Sequence, residues 1–217
     1  MHIELGLIAA TKLAFANAGA IATLVTNSKK LIAKPNLIIK TALAAVFFSG
    51  FMQAFNMPIG ASELHFIGAS AIFLLFGFIP TLFGFALGLL LQALIFEPAD
   101  MLHLGVNTLS LGIPLIAAHV LYGKRFFKKD NQVKVSWSSI VKFDAIYYSG
   151  VIAMVGFWLM LGSEPTPFAN WVIFAIAYLP IIFLEPIFSY FVLRFAHKIS
   201  KNNILSSLTM AQALRVK

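Results

Sequence analysis

The sequence predicts an all-α integral membrane protein with seven transmembrane helices, and three observations predict it. Of its 217 residues, 60% are hydrophobic and only 11% charged, against roughly 25% charged in soluble domains. There are 22 phenylalanines, more than a soluble core of this size would hide. Apolar runs of about 20 residues, the length that crosses a hydrocarbon core, recur along the chain. A water-soluble globule is excluded. So is disorder, which requires few apolar residues and abundant charge. Without cysteine there is neither a disulfide framework nor a thiolate metal site.

The first span, 4–26, contains Lys12, Asn17 and many alanines and is the least apolar. Its apolar stretch begins with no basic segment before it, so it does not read as a secretory signal. The second span covers 36–55. The third and fourth, 64–79 and 81–96, are short and meet at Gly77-Phe78-Ile79-Pro80, where both breaker residues mark a turn. As one helix, 64–96 would run about 50 Å and overshoot a core of about 30 Å, so two helices are expected. Spans at 104–122, 139–161 and 169–193 follow, then a basic tail at 194–217. One transmembrane domain is implied, with no repeat period, heptad or low-complexity run.

The formal net charge of +8 is a matter of placement. Lys29, Lys30, Lys34 and Lys40 follow span one. Lys124, Arg125, Lys128, Lys129, Lys134 and Lys142 follow span five. Arg194, Lys198, Lys201, Arg215 and Lys217 lie in the tail. Together these are all but one of the 16 basic residues, and seven spans put them on one side. The other side receives Glu4, Glu63, Glu97, Asp100 and Glu164, with no Lys or Arg. The positive-inside rule then places the N-terminus outside and the C-terminus in the cytoplasm. The basic segments carry no aromatic-interleaved nucleic-acid motif; no nucleic-acid partner is expected, and the lipid bilayer is.

On this topology His2, His65 and His103 lie at the outer face, and His119 and His197 at the cytoplasmic side. A large second residue disfavours removal of the initiator methionine, so Met1-His2 offers an α-amine, an amide nitrogen and an imidazole. Amine and amide close a five-membered chelate ring; amide and Nδ1 close a six-membered one. Three nitrogens in a plane suit Ni(II) or Cu(II), and Co(II) remains open. The amine titrates near 8 and imidazole near 6.5, so the proton cost is modest. His65, closing a Pro- and Gly-shaped outer segment from Asn56, is the candidate fourth ligand; the alternative is an interfacial histidine capping the next helix.

Met1-His2-Ile3 with Gly6 resembles the MHI-x-x-G opening of the CbiM/NikM family, the substrate-binding membrane components of energy-coupling factor transporters for cobalt and nickel. Gly60-Ala-Ser-Glu-Leu-His-Phe-Ile-Gly-Ala69 resembles the family's Gly/Ser-rich loop ending in histidine. Gln92-Ala-Leu and Gly105-Val-Asn-Thr-Leu-Ser-Leu-Gly112 resemble its QAL and GANxxxMG segments. The resemblance implies a square-planar site made of the Met1 amine, the His2 amide and ring, and the His65 ring. It implies an N-terminal helix added to a six-helix core, and Co2+ or Ni2+ as transported substrate rather than a cofactor. It further implies a transmembrane coupling subunit, two cytoplasmic ATPase subunits and a small accessory membrane subunit as partners, in a bacterial or archaeal plasma membrane. Glu4-Leu5 and Glu63-Leu64 depart from the family pattern and bear on the surroundings of the chelate.

Asn107 is the preferred brace for a ligating imidazole, with Ser62 and Gln92 behind it; an interhelical hydrogen bond is the bland reading of Asn107. Glu63 and Asp100 suit drawing cations to the outer mouth, or are simply solvated. His103 is a transient metal contact or an interfacial residue. Glu185, inside span seven before Pro186, is a candidate intramembrane functional acid; the structural reading is a protonated carboxyl in a locally broken helix. Asp144 is expected at the cytoplasmic interface near Lys142. Small residues from Ala14 to Ala22, with Ala42 and Ala45, permit close helix contact, with a coupling subunit or internally. No phosphate-binding Gly-x-x-x-x-Gly-Lys-Ser/Thr loop is present, so the chain is not expected to be an enzyme and ATP hydrolysis falls to partners. A proton-coupled secondary metal transporter using Glu185 is the alternative. An intramembrane hydrolase on Ser62 or Ser70 with His65 lacks a Gly-x-Ser-x-Gly elbow.

Overall fold

The structure is a computed structural model that describes residues 6–59, 62–128, 134–163, 166–199, 203–214 and 216. Long helices form where the apolar runs predict them: α1 (Ala10–Ala33), α2 (Asn36–Ala54), α4 (Phe78–Ile95), α5 (Leu104–Ala118), α7 (Trp137–Met160) and α8 (Phe168–Ile199). After α5 a π turn, His119–Gly123, leads into the short α6 (Lys124–Phe127). Five stretches are long and apolar enough to cross a membrane: 36–54, 78–95, 98–127, 137–160 and 168–199. The helix α1 is not among them, in keeping with its polar content. It starts later than the expected 4–26 and absorbs Lys29 and Lys30 into its last turns.

The expected span at 64–79 is not a transmembrane-length helix. Asn56–Ile59 (β1) and Ser62–His65 (β2) form an antiparallel hairpin, pairing Asn56 with His65 and Ile59 with Ser62. Residues 66–68 follow as a loop, then the eight-residue α3 (Ala69–Phe76), every residue of it buried. Gly77, at φ 86, separates α3 from α4, so the break at the Gly-Phe-Ile-Pro turn is present. Eight residues span only about 12 Å, and hydropathy alone does not distinguish such a buried half-helix from a full span.

The chain nevertheless crosses the molecule there. In α2 and α4, Ser49 Oγ donates to the Gly88 carbonyl at 3.1 Å and Gln53 Nε2 to Gln92 Oε1 at 2.6 Å. A Cβ on Gly84 would lie 2.5 Å from Ala44 Cβ. The partners advance together, so α2 and α4 are parallel, and 55–77 must return from one end to the other. In contrast, α5, α7 and α8 alternate. Trp158 Nε1 donates to Ser110 Oγ at 2.9 Å, while Gly150 faces Pro114; Trp171 Nε1 donates to the Ile152 carbonyl at 2.9 Å. Against α5, α1 runs parallel: Asn17 abuts Gly105, and Gly19 faces Leu109.

Two ends result. A hairpin end gathers the start of α1, β1–β2, the 3-10 turn Pro98–His103 and residues 161–163 and 166–167. A basic end gathers Lys29, Lys30, Lys34, Lys124, Arg125, Lys128 and Lys134. Part of the tail, expected as a plain basic anchor, folds back here: α9 (Asn203–Leu208) leads to Met210, whose N–H donates to the Leu75 carbonyl at 2.6 Å. Lys40 Nζ lies 3.5 Å from the Thr209 carbonyl.

Candidate metal centre

His65 ends β2, and its placement follows from strand geometry. Alternate residues share a face, so Glu63 and His65 emerge side by side. Glu63 Oε2 lies 3.1 Å from His65 Nε2, and the imidazole is 4% exposed. Nδ1 stands 3.5 Å from the Met52 carbonyl at the end of α2. A neutral imidazole has one N–H. With the proton on Nε2 the ring donates to Glu63, the nearer acceptor; with it on Nδ1 the ring donates to the Met52 carbonyl. A carboxylate on the far nitrogen is the arrangement that fixes tautomer and ring orientation in histidine–metal sites.

Met1 and His2 lie outside the described residues. Leu7 and Ile8, a few residues on, are at the hairpin end: the Ser163 N–H donates to the Leu7 carbonyl at 2.7 Å, and Ile8 is 3% exposed. Lys12 Nζ donates to the Leu161 carbonyl at 2.6 Å, fastening the first turn of α1 to the same end. His103 (1% exposed) and Asp100 are buried there too, so neither is a solvated loop residue.

The expected braces are placed unequally. Asn107 is buried in α5 one turn from the hairpin end, and its Oδ1 has no partner among the described residues. Ser62 is buried in β2, and its hydroxyl likewise has none. Gln92 is turned to α2, donating to the Ser49 carbonyl at 2.8 Å and accepting from Gln53. The carboxylate at His65 is Glu63, which by sequence is a cation-attracting or simply solvated charge; two-residue alternation is the signal that would pair it with His65.

Behind His65 the structure assembles a polar cluster. Glu185 is fully buried and accepts from the N–H groups of Gly68 at 3.2 Å and Ser70 at 3.3 Å, and from the Tyr148 hydroxyl. Ser70 Oγ donates to Asp144 Oδ2 at 2.8 Å and meets Ser189 Oγ at 2.8 Å. Asp144 is therefore not interfacial: it is fully buried on the inward face of α7. Nor is the helix broken at Pro186, since α8 is continuous through Pro180 and Pro186. At the basic end His119 stacks on Phe78, centroids 4.1 Å apart, and His197 Nδ1 lies 3.1 Å from the Ala211 carbonyl; both are remote from His65.

The family model for the cobalt uptake substrate-specific transmembrane region, CbiM, matches residues 2–202. The chain belongs to the CbiM family. Among solved structures, one described as a transition metal transporter aligns with a TM-score of 0.73 at 22% identity, over 94% of this chain and 96% of the other. A second, described as a truncated transition metal transporter, aligns at 0.70 and 21%, over 94% and 100%. At such identities these two speak for the fold. None of the curated proteins matches. As a CbiM-family chain, the molecule is a multi-pass membrane component of cobalt or related transition-metal uptake. A buried imidazole at one end of such a chain is a donor of the type these borderline cations take.

Proposed function

We propose that the chain captures Co2+ or Ni2+ at the outer face of a bacterial or archaeal plasma membrane, as the substrate-binding component of an energy-coupling factor importer. The ligands are the Met1 amine, the His2 amide and imidazole nitrogens, and the His65 ring. The observation that carries this reading is the Glu63–His65 pair at the end of the molecule where α1 begins. The five residues before Gly6 cover at most about 18 Å when extended, enough to bring an N-terminal chelate toward β2. Four nitrogens in a plane suit a tetragonal divalent ion, and the acidic character of the hairpin end favours cation arrival. The sequence has no Gly-x-x-x-x-Gly-Lys-Ser/Thr phosphate loop; on this reading energy comes from two ATPase subunits acting through a transmembrane coupling subunit, with a small accessory membrane subunit alongside. The basic end then faces the cytoplasm.

Titration of the purified protein with Ni2+ and Co2+ tests the site. Binding is lost in His2→Ala and in His65→Ala, and weakens sharply when one residue is inserted before Met1, because the amine is displaced from its five-membered ring. Full affinity in the extended protein would exclude the N-terminal chelate.

A further inference from the structure

A half-helix that begins inside a membrane protein exposes its first N–H groups where no water can satisfy them, so acceptors must come from the protein itself. The first turn of α3 is in this position. Its N-cap is Gly68, in the left-handed region at φ 66, and no side-chain cap is present. The acceptor comes from another helix 117 residues away: the Glu185 carboxylate of α8 takes the Gly68 and Ser70 N–H groups. A negative group at the positive end of a helix is favourable by charge as well as by hydrogen bonding.

The same face of α8 grips the loop twice more. Phe188, three residues on, meets Phe66 edge-on at 5.4 Å, and both rings pack on Phe51 of α2 at 5.4 and 5.7 Å. Ser189 joins Ser70, which also donates to Asp144 of α7. Gly68 leaves no room for movement on its other side, because a Cβ there would strike the Phe51 ring. Backbone, ring and hydroxyl contacts from three helices converge on residues 66–70, and these directly follow His65.

We propose that Glu185 is a positioning residue for metal capture: by capping α3 from α8 it fixes the loop at 66–68, and through it the placement of the His65 imidazole. The proposal rests on His65 being a ligand. It assigns Glu185 a fixed role rather than a proton-carrying one. The two buried N–H groups need an acceptor throughout the transport cycle, and the Glu185 carboxyl supplies one whether or not it carries a proton.

The test uses the purified full chain and compares Glu185→Ala, Glu185→Gln and His65→Ala. Hydrogen exchange across 62–70, the Ni2+ dissociation rate and the absorption spectrum of bound Ni2+ are measured for each. In Glu185→Ala, exchange at Gly68 and Ser70 rises at least about tenfold. Ni2+ leaves about 10–100-fold faster, the range for lost supporting contacts, and the spectrum is kept because the four nitrogens are unchanged. Glu185→Gln retains one acceptor oxygen and falls between wild type and Ala. It also carries the test should the Ala variant not fold. Exchange and dissociation unchanged in either variant overturn the proposal. Faster loop exchange with unchanged dissociation, while His65→Ala abolishes binding, overturns the positioning role and leaves only a structural cap. Full affinity in His65→Ala strikes instead at the ligand reading, and the exchange data then judge the cap by themselves.

Discussion

At His65 the chemistry turns on which ring nitrogen holds the proton. Glu63 lies 3.1 Å from Nε2 and, as an anion, holds that proton better than the Met52 carbonyl at 3.5 Å does. Removing the carboxylate frees the ring to rotate and to change tautomer. Glu63→Ala is expected to weaken Ni2+ binding about 10–100-fold, read by competition with a chelator of known affinity. Glu63→Gln, which still offers an acceptor oxygen, should lose less. The same donor set fixes the sign of the pH dependence. Metal and protons compete for the amine and imidazole nitrogens, and binding also expels the amide proton. Affinity therefore falls as pH drops from 8 to 6, and buffers of different ionisation enthalpy should report protons released on binding. His65 stands out in the sequence as a candidate ligand because histidines are few and this one closes a shaped segment. Its carboxylate partner does not, because residues 56–65 read as a loop and only a strand makes 63 and 65 neighbours.

Among the helices, α2 and α4 approach closely at a glycine that the sequence did not single out. A Cβ on Gly84 would stand 2.5 Å from Ala44 Cβ and 3.2 Å from backbone atoms of Ala44 and Ala45. Backbone cannot swing aside, so the helices must separate. Gly50, on α2 itself, has nothing within 4 Å of the same added atom. The two positions make a matched pair. Gly84→Ala is expected to destabilise by about 1–3 kcal/mol through overpacking. Gly50→Ala is expected to be neutral or to gain up to about 1 kcal/mol from helix propensity. Thermal melts in detergent distinguish them, and equal shifts would mean that close approach at Gly84 carries no weight. The six long helices were readable as apolar runs, five of the stretches being apolar enough to cross a membrane. The third span was not, because hydropathy averages over a strand, a loop and a half-helix that are all buried in protein. Irregular backbone at that depth survives only with internal acceptors, and Glu185, in the last span, is distant in sequence from the N–H groups it satisfies. For the same reason Asp144 read as interfacial: its neighbour Lys142 is visible in the sequence, whereas Ser70 is not.

For the molecule as a whole, charge placement carries the proposed orientation. Parallel α2 and α4 enforce a return crossing at 55–77, and alternation thereafter collects Lys29, Lys30, Lys34, Lys124, Arg125, Lys128 and Lys134 at one end. The hairpin end holds Glu63, Glu97 and Asp100. Lys12 is the basic residue the charge pattern did not assign, and it is used locally, tying α1 to the Leu161 carbonyl. The gathering of basic residues at one end was thus legible from Lys and Arg positions even though 64–79 is not one long helix, because a connection keeps its end of the molecule whether its flanking segment is regular or broken. Orientation is open to a direct check, since the sequence has no cysteine and single replacements need no background removed. Ser163 at the hairpin end and Ser138 at the start of α7 are both exposed and nearly isosteric with cysteine. Ser163→Cys should react with a membrane-impermeant maleimide in intact cells, and Ser138→Cys only after permeabilisation. The opposite pattern would put the His65 end in the cytoplasm, and a chelate there would serve metal release or efflux rather than capture.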